Sequence, residues 1–259
     1  MALVVAATCG GGPVASAHAL PAASESMCGH NQHQLVQAPG GKWYQIRNPY
    51  WRGSGESCIR SLPGPGFRVL GTPAPDGAGR VVAYPDIFRG CIWNICTPNS
   101  NMPIQVSAIE RAVTTWHISA TAAGTWNASY DIWFGKHAMT QGHADGAELM
   151  IFIREHGGCC ALHHAPQVRV GRHMYWLINR RRYDPDFGLS WNYIQFRRVH
   201  PTAHVDHLRL EPFLQLCERL GVIRPSWWME NVEAGFEVWS GGRGLATTNF
   251  AVTVDPAHT

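Results

Sequence analysis

With 259 residues, 27 Gly, 17 Pro and 11 Trp but only 15% charged residues, the chain has material for a full core and too many turn formers for a long-helix protein. A formal charge of +3 is too small to argue for nucleic acid or an anionic membrane as partner, and the Arg180-Arg181-Arg182 and Arg197-Arg198 runs read as solvated edges or strand ends. Trp is in excess of what a core needs, and a partly wet amphipathic ring suits stacking on sugars.

Residues 1–19 have the outline of a secretory signal. The apolar run Ala2-Leu3-Val4-Val5-Ala6-Ala7 precedes Ala-x-Ala patterns at Ala15-Ser16-Ala17 and Ala17-His18-Ala19, although a basic start is lacking. Cys9 is a poor match to a lipid-attachment cysteine. No later apolar run is long enough to span a bilayer, so a secreted, extracellular protein is expected. Eight cysteines fit an oxidising compartment. Cys28 with Cys58 would tie the first strand region to the next, and Cys91 with Cys96 would close a small loop. The adjacent Cys159 and Cys160 fit a strained vicinal disulfide or two thiols equally. Cys217 reads as a buried thiol.

A hairpin comes first: Leu35-Val36 and Trp43-Tyr44-Gln45-Ile46 are separated by the turn Ala38-Pro39-Gly40-Gly41. Turn-rich segments around Leu62–Gly66 and Pro73–Gly77 bracket a strand near Phe67–Leu70, and Val81–Tyr84 begins the next. Three strands are expected between Pro103 and Phe134, with Gly124 in a turn. Two more run from His173 to Asn179 and from Ser190 to Val199, joined by a polar loop around Tyr183-Asp184-Pro185-Asp186. Between His204 and Leu220, Leu210, Phe213, Leu214 and Cys217 fall at helical spacing, with Asp206 early and Gly221 as the stop. Pro212 requires that helix to start near Leu208 to Glu211. Many short strands, one helix and no repeat or second domain predict a β-sandwich or jelly roll.

The chemistry sits on strands that carry acids. In Gly146-Ala-Glu-Leu-Met-Ile-Phe-Ile153, Glu148, Met150 and Phe152 share one face, while Leu149, Ile151 and Ile153 share the other, which reads as core. Glu233, Gly235, Glu237 and Trp239 likewise share a face, opposite Phe236 and Val238. Asn127, Ser129, Asp131 and Trp133 do the same in the strand Asn127–Phe134. Facing carboxylates beside aromatic rings are what glycosidic bond cleavage requires, one ionised and the other kept protonated. The competing view of any one such Glu is an exposed strand residue, and it weakens as acid-bearing strands accumulate. The histidines at 163, 164, 200, 204 and 207 have no surrounding cysteine or carboxylate frame, so no metal is expected. Trp227-Trp228 reads as packing under the sheet, and the sequon at Asn127 lies in a cleft strand and reads as unmodified.

The runs Ala147–Phe152, Asn127–Phe134 and above all Ala234-Gly-Phe-Glu-Val-Trp-x-Gly-Gly-x-Gly-Leu-Ala246 resemble glycoside hydrolase family 12, the small secreted endoglucanases. Tyr84-Pro85 before a Gly-Cys, the Cys91 and Cys96 spacing, and a late helix followed by Ser226-Trp227 add to the similarity, which extends from about Cys28 to Val254. The resemblance implies one catalytic domain over 28–255, all-β, a jelly-roll sandwich of two curved antiparallel sheets with one helix and an open cleft on the concave face. It also implies no cofactor and retaining hydrolysis of internal β-1,4 links in a β-glucan. By matching position Glu148 would be the nucleophile, Glu237 the acid/base and Asp131 the supporting carboxylate. Asn127, Trp133, Met150, Phe152 and Trp239 would line the subsites, and Trp51 would be a stacking platform. The chain departs from the family at Asn48-Pro49-Tyr50-Trp51, where two Asn usually precede the Trp, and at Phe152, usually a Trp. A monomer is expected. The alternatives are a glucan-binding jelly roll without catalysis and a xylanase or xyloglucanase of the same architecture.

Overall fold

The computed structural model describes residues 26–121, 123–159, 165–183 and 190–257. The expected leader over 1–19, Cys9, Cys160, His163, His164 and the loop residues Asp184-Pro185-Asp186 lie outside them. In chain order the strands begin with β1 (Ser26–Met27), β2 (Gln32–Gln37), β3 (Trp43–Asn48), β4 (Cys58–Ser61), β5 (Phe67–Gly71) and β6 (Asp86–Ile92). They continue with β7 (Ile95–Cys96), β8 (Ile104–Gln105), β9 (Ile109–Ser119), β10 (Gly124–Gly135), β11 (Ala147–His156) and β12 (Gln167–Val170). The last are β13 (His173–Tyr183), β14 (Trp191–Arg198), β15 (His204–Arg209), β16 (Trp228–Met229), β17 (Asn231–Gly241) and β18 (Ala246–Pro256), with the helix α1 (Glu211–Arg219) between β15 and β16.

The strands form a jelly-roll sandwich of two sheets. The smaller runs β1-β4-β5-β18-β9-β15, and the larger is built on the path β12-β13-β14-β11-β10-β17-β6-β3-β2. Pairing is antiparallel except between β11 and β14, which run parallel from Ala147↔Asn192 to Phe152↔Arg197. A parallel pair needs a long crossover, and the β12–β13 hairpin supplies it.

Alternation decides which side chains meet between the sheets. On β10, Trp126, Ala128, Tyr130, Ile132 and Phe134 enter the main core, as do Leu149, Ile151 and Ile153 of β11. Phe236 of β17 is fully covered, its ring centroid 5.9 Å from Phe67 and 6.0 Å from Trp116 of the opposite sheet. Gly124 opens β10 with φ +84, and a Cβ there would stand 2.1 Å from the Ser240 carbonyl oxygen, so the turn admits only glycine. Disulfides join Cys28 to Cys58 and Cys91 to Cys96. Cys217 is buried on α1 beside Phe213 and Leu214, and burial pushes its thiol up to about 12.

One strand was not expected and one expected boundary moves. His204–Arg209, read only as the approach to the helix, is a strand on the edge of the smaller sheet, with Val205 opposite Trp116. The helix itself starts within the expected Leu208 to Glu211: the ring of Pro212 excludes a helical carbonyl four residues earlier, at Leu208, and α1 begins at Glu211 with the proline in its first turn. Residues 81–84 contribute isolated bridges, Tyr50↔Ala83 and Ala83↔Val238, and the strand itself starts at Asp86 after Pro85, which has no N–H to give.

Phe236→Ala is expected to cost about 3–5 kcal/mol through lost burial and a residual cavity. Urea unfolding should show a lower midpoint at an unchanged slope.

Candidate active site

β10 lies between β11 and β17, and its register assembles the acids. Across to β11, Trp133 faces Glu148, Asp131 faces Met150 and Ser129 faces Phe152. Across to β17, Asn127 faces Glu237, Ser129 faces Gly235 and Asp131 faces Glu233. Residues directly opposed across a ladder point to the same side. All of these therefore stand on the face turned away from the smaller sheet, and Asp131 sits between the levels of Glu148 and Glu237.

The two glutamates have unlike surroundings. Glu148 is half-buried and accepts a 2.6 Å hydrogen bond from the indole Nε1 of Trp191 on β14. Glu237 is half-buried and accepts one of 2.5 Å from Asn127 Nδ2. Burial raises Glu237 to about 7 even though the Asn127 bond favours its ionised form. Asp131 is held well above the usual carboxylate range, first by burial and then by the negative charges of Glu148, Glu233 and Glu237.

Beside Asp131, on the same face across β17, β6 and β3, lies a buried ion cluster. Arg47 of β3 donates to both oxygens of Asp86, at 3.0 and 2.9 Å, and to Glu233 at 2.7 Å. Asn231 Nδ2 donates to the other oxygen of Glu233 at 3.2 Å. Tyr84, beside this cluster, donates its hydroxyl to the Ser129 carbonyl at 3.1 Å. Burial drives both Asp86 and Glu233 upward, and Arg47 acts against that rise.

The aromatic residues divide by exposure. Trp51 is 51% exposed and presents an open ring. Met150 and Phe152 form a small cluster with Tyr193 that is separate from the main core, and Tyr193 donates to Met150 Sδ at 3.2 Å. Phe152 is only 3% exposed, so it shapes the floor and offers little stacking area. Trp133 is 8% exposed, packed edge-on against Trp191 at 5.3 Å and His143 at 4.7 Å. It walls the site from behind. Trp239 is half-buried at a bulge, because Thr125 pairs Ser240 while Trp126 pairs Val238, which takes it out of the regular alternation.

Sequence reasoning did not single out Trp191, His143, Tyr193, Arg47 or Asp86. Trp191 and Tyr193 lie two apart at the head of an expected strand, and that spacing was the available signal. Nothing in the local pattern marks Arg47 or Asp86, whose role exists only once β3, β6 and β17 are side by side. Among the described residues, the His, Cys, Asp and Glu side chains close enough to share one ion are Cys28, Glu56 and Cys58, and those two sulfurs are bonded to each other.

Arg47→Met should destabilise the fold by about 3–5 kcal/mol, since it leaves two buried carboxylates without their cation. The loss should be larger at pH 8 than at pH 5, because protonation relieves the uncompensated charge, and denaturant melts at the two pH values would show it.

No family model matches the chain. Endoglucanase S of Pectobacterium parmentieri is 28% identical over 185 residues, which cover 70% of this chain and 69% of that protein. Among solved structures, endoglucanase cel12A from Rhodothermus marinus is 33% identical, with a TM-score of 0.80 over 90% of this chain and 100% of that one. A metagenome-derived glycoside hydrolase family 12 endoglucanase is 32% identical, with a TM-score of 0.79 over 90% and 99%. Fold, coverage and identity agree with the paired acids: the chain belongs to glycoside hydrolase family 12.

Proposed function

We propose that the protein is a secreted endo-β-1,4-glucanase that cleaves internal links of a β-glucan with retention, through the domain over 28–255. The observation that carries this reading is the contrast between its two glutamates on one sheet face. Glu148 is bonded by an indole N–H, which favours the carboxylate, and Glu237 is raised to about 7, which favours the acid. Those are the states that double displacement needs at its first step.

In that step the Glu148 carboxylate attacks the anomeric carbon while Glu237 gives its proton to the departing glycosidic oxygen. The products are a glycosyl ester on Glu148 and a free chain end. Glu237, now ionised, then takes a proton from water, whose oxygen attacks the same carbon and releases Glu148. Asp131, beside Glu148 and held well above the usual carboxylate range, is disfavoured as an anion, which lessens its opposition to ionisation of the nucleophile. Asn127 orients Glu237, Trp51 stacks on a glucose ring at the cleft's outer end, and Met150, Phe152, Trp133 and Trp239 shape the subsites. Both named relatives above 30% identity are endoglucanases, which favours β-glucan over xylan as substrate.

Glu148→Gln should abolish release of reducing ends from soluble cellulose derivatives and leave glucan binding intact. Wild-type protein that binds glucan without hydrolysing it would establish the binding-module alternative. Running xylan and xyloglucan in the same assay separates the remaining alternatives, and NMR of the first-formed anomer tests retention. The pH profile of kcat/KM should fall on its alkaline side near pH 7: Glu237 must be protonated to act as acid, and it loses that proton as pH rises through about 7.

A further inference from the structure

A chain of ring contacts leads away from Glu148. Trp191 donates its indole N–H to Glu148 Oε2 at 2.6 Å, and its ring lies on Trp133 at 5.3 Å and on His143 at 4.5 Å. His143 is wedged against Trp133 at 4.7 Å and Trp93 at 4.4 Å as well, so its imidazole touches three indoles. The loop that carries His143 is pinned on both sides. Met139 N donates to both oxygens of the buried Glu230 at 3.2 Å, and Gly142 N donates to Asn94 Oδ1 at 2.6 Å. A ring held this firmly can donate along one fixed line.

We propose that Trp191 is a positioning residue for the nucleophile: its indole N–H fixes the rotamer of Glu148 and holds the carboxylate ionised, with His143 setting the plane of the indole. This rests on Glu148 being the nucleophile and assigns the group that prepares it. An N–H aimed at a carboxylate stabilises the charged form and leaves the neutral acid with a poorer partner. Among the described residues, the titratable groups that face Glu148 or its donor are Asp131 on β10, whose charge interacts with it, Tyr193 opposite it on β14, and His143 against the Trp191 ring; Glu237 and Glu233 of β17 act on Asp131. Burial pushes the His143 imidazole below its usual range, which weakens any competing positive charge there. The strand that supplies Trp191 is the parallel neighbour β14, so the parallel pairing gives the nucleophile its donor.

Trp191→Phe removes the N–H together with one ring of the indole that packs on Trp133 and His143, so the position of the acid limb, which lost packing alone would leave in place, is the readout. The expected result is an acid limb moved up by about one pH unit, so that kcat/KM falls by up to about ten-fold at pH values below the limb, and a KM for cello-oligosaccharides changed less than two-fold. An acid limb at the wild-type position, or a loss confined to KM, would overturn the proposal. Should the variant fail to fold, the wild-type enzyme with ¹⁵N-labelled Trp answers instead. The Trp191 indole resonance should shift with the titration of Glu148 between pH 3 and 7, and a resonance that does not move overturns the assignment. Azide rescue of Glu148→Gly on an aryl β-cellobioside, giving the α-glycosyl azide, tests the nucleophile itself, so failure of that reading is distinguishable from failure of this one.

Discussion

The site depends on the register of β10 between its two neighbours. Because side chains alternate along a strand, a slip of one residue against β11 would send Glu148 into the space now filled by Leu149 and bring Leu149 to the surface. The main core prevents this. Trp126, Tyr130, Ile132 and Phe134 pack on one side of β10 together with Leu149, Ile151 and Phe236 of its neighbours, and none of these rings or branched chains tolerates water in exchange. The hydrophobic face therefore fixes where the acids stand, and the chemistry on the other face is inherited from the packing below it.

The acid-bearing face carries its own electrostatic problem. Asp86, Asp131 and Glu233 are buried there with Glu148 and Glu237 nearby, and Arg47 pairs with Asp86 and Glu233. Gathering so many carboxylates on one buried face favours the protonated form of some of them. The directions agree with this: Asp86, Asp131, Glu233 and Glu237 are all raised, with burial the first cause in each. Tyr84, hemmed in by the same groups, is raised as well. The face thus keeps a protonated acid available close to neutral pH through burial and the mutual repulsion of its carboxyl groups.

Much of this was legible in the sequence, for one reason. Period-two alternation sorts side chains by face, so Leu149, Ile151 and Ile153 separate from Glu148, Met150 and Phe152 on inspection, and the structure divides them into the main core and the small cluster with Tyr193 in the same way. Alternation does not say which strand comes alongside. The donor to Glu148 comes from β14, which lies beyond a long hairpin, and the cation for Glu233 comes from β3, far earlier in the chain. Both were out of reach of local pattern. The strand at His204–Arg209 was missed for a different reason: its alternation is broken by the bulge between Val205 and Leu208, where His207 adopts φ +51. Burial was likewise invisible, and so Phe152 and Trp133 read as open rings although their own neighbours cover them.

The Arg47–Asp86–Glu233 cluster is better understood through the site than through stability. A buried ion group seldom adds net stability over apolar residues of the same volume, because desolvating each charge costs several kcal/mol that mutual attraction only partly offsets. An apolar replacement would also pack readily here, since Phe88 and Tyr84 already border the cluster. Such a change would remove the negative charge of Glu233 next to Asp131, which is among the causes holding Asp131 above the usual carboxylate range. A more readily ionised Asp131 beside Glu148 would in turn oppose the charge on Glu148, the proposed nucleophile. Glu233 stands on β17, the strand that carries Glu237, and its charge reaches Asp131 across the ladder that pairs the two. In a medium with few mobile dipoles that distance screens little, and a set of charges that is poor value for folding becomes a means of setting which carboxyl on this face holds its proton.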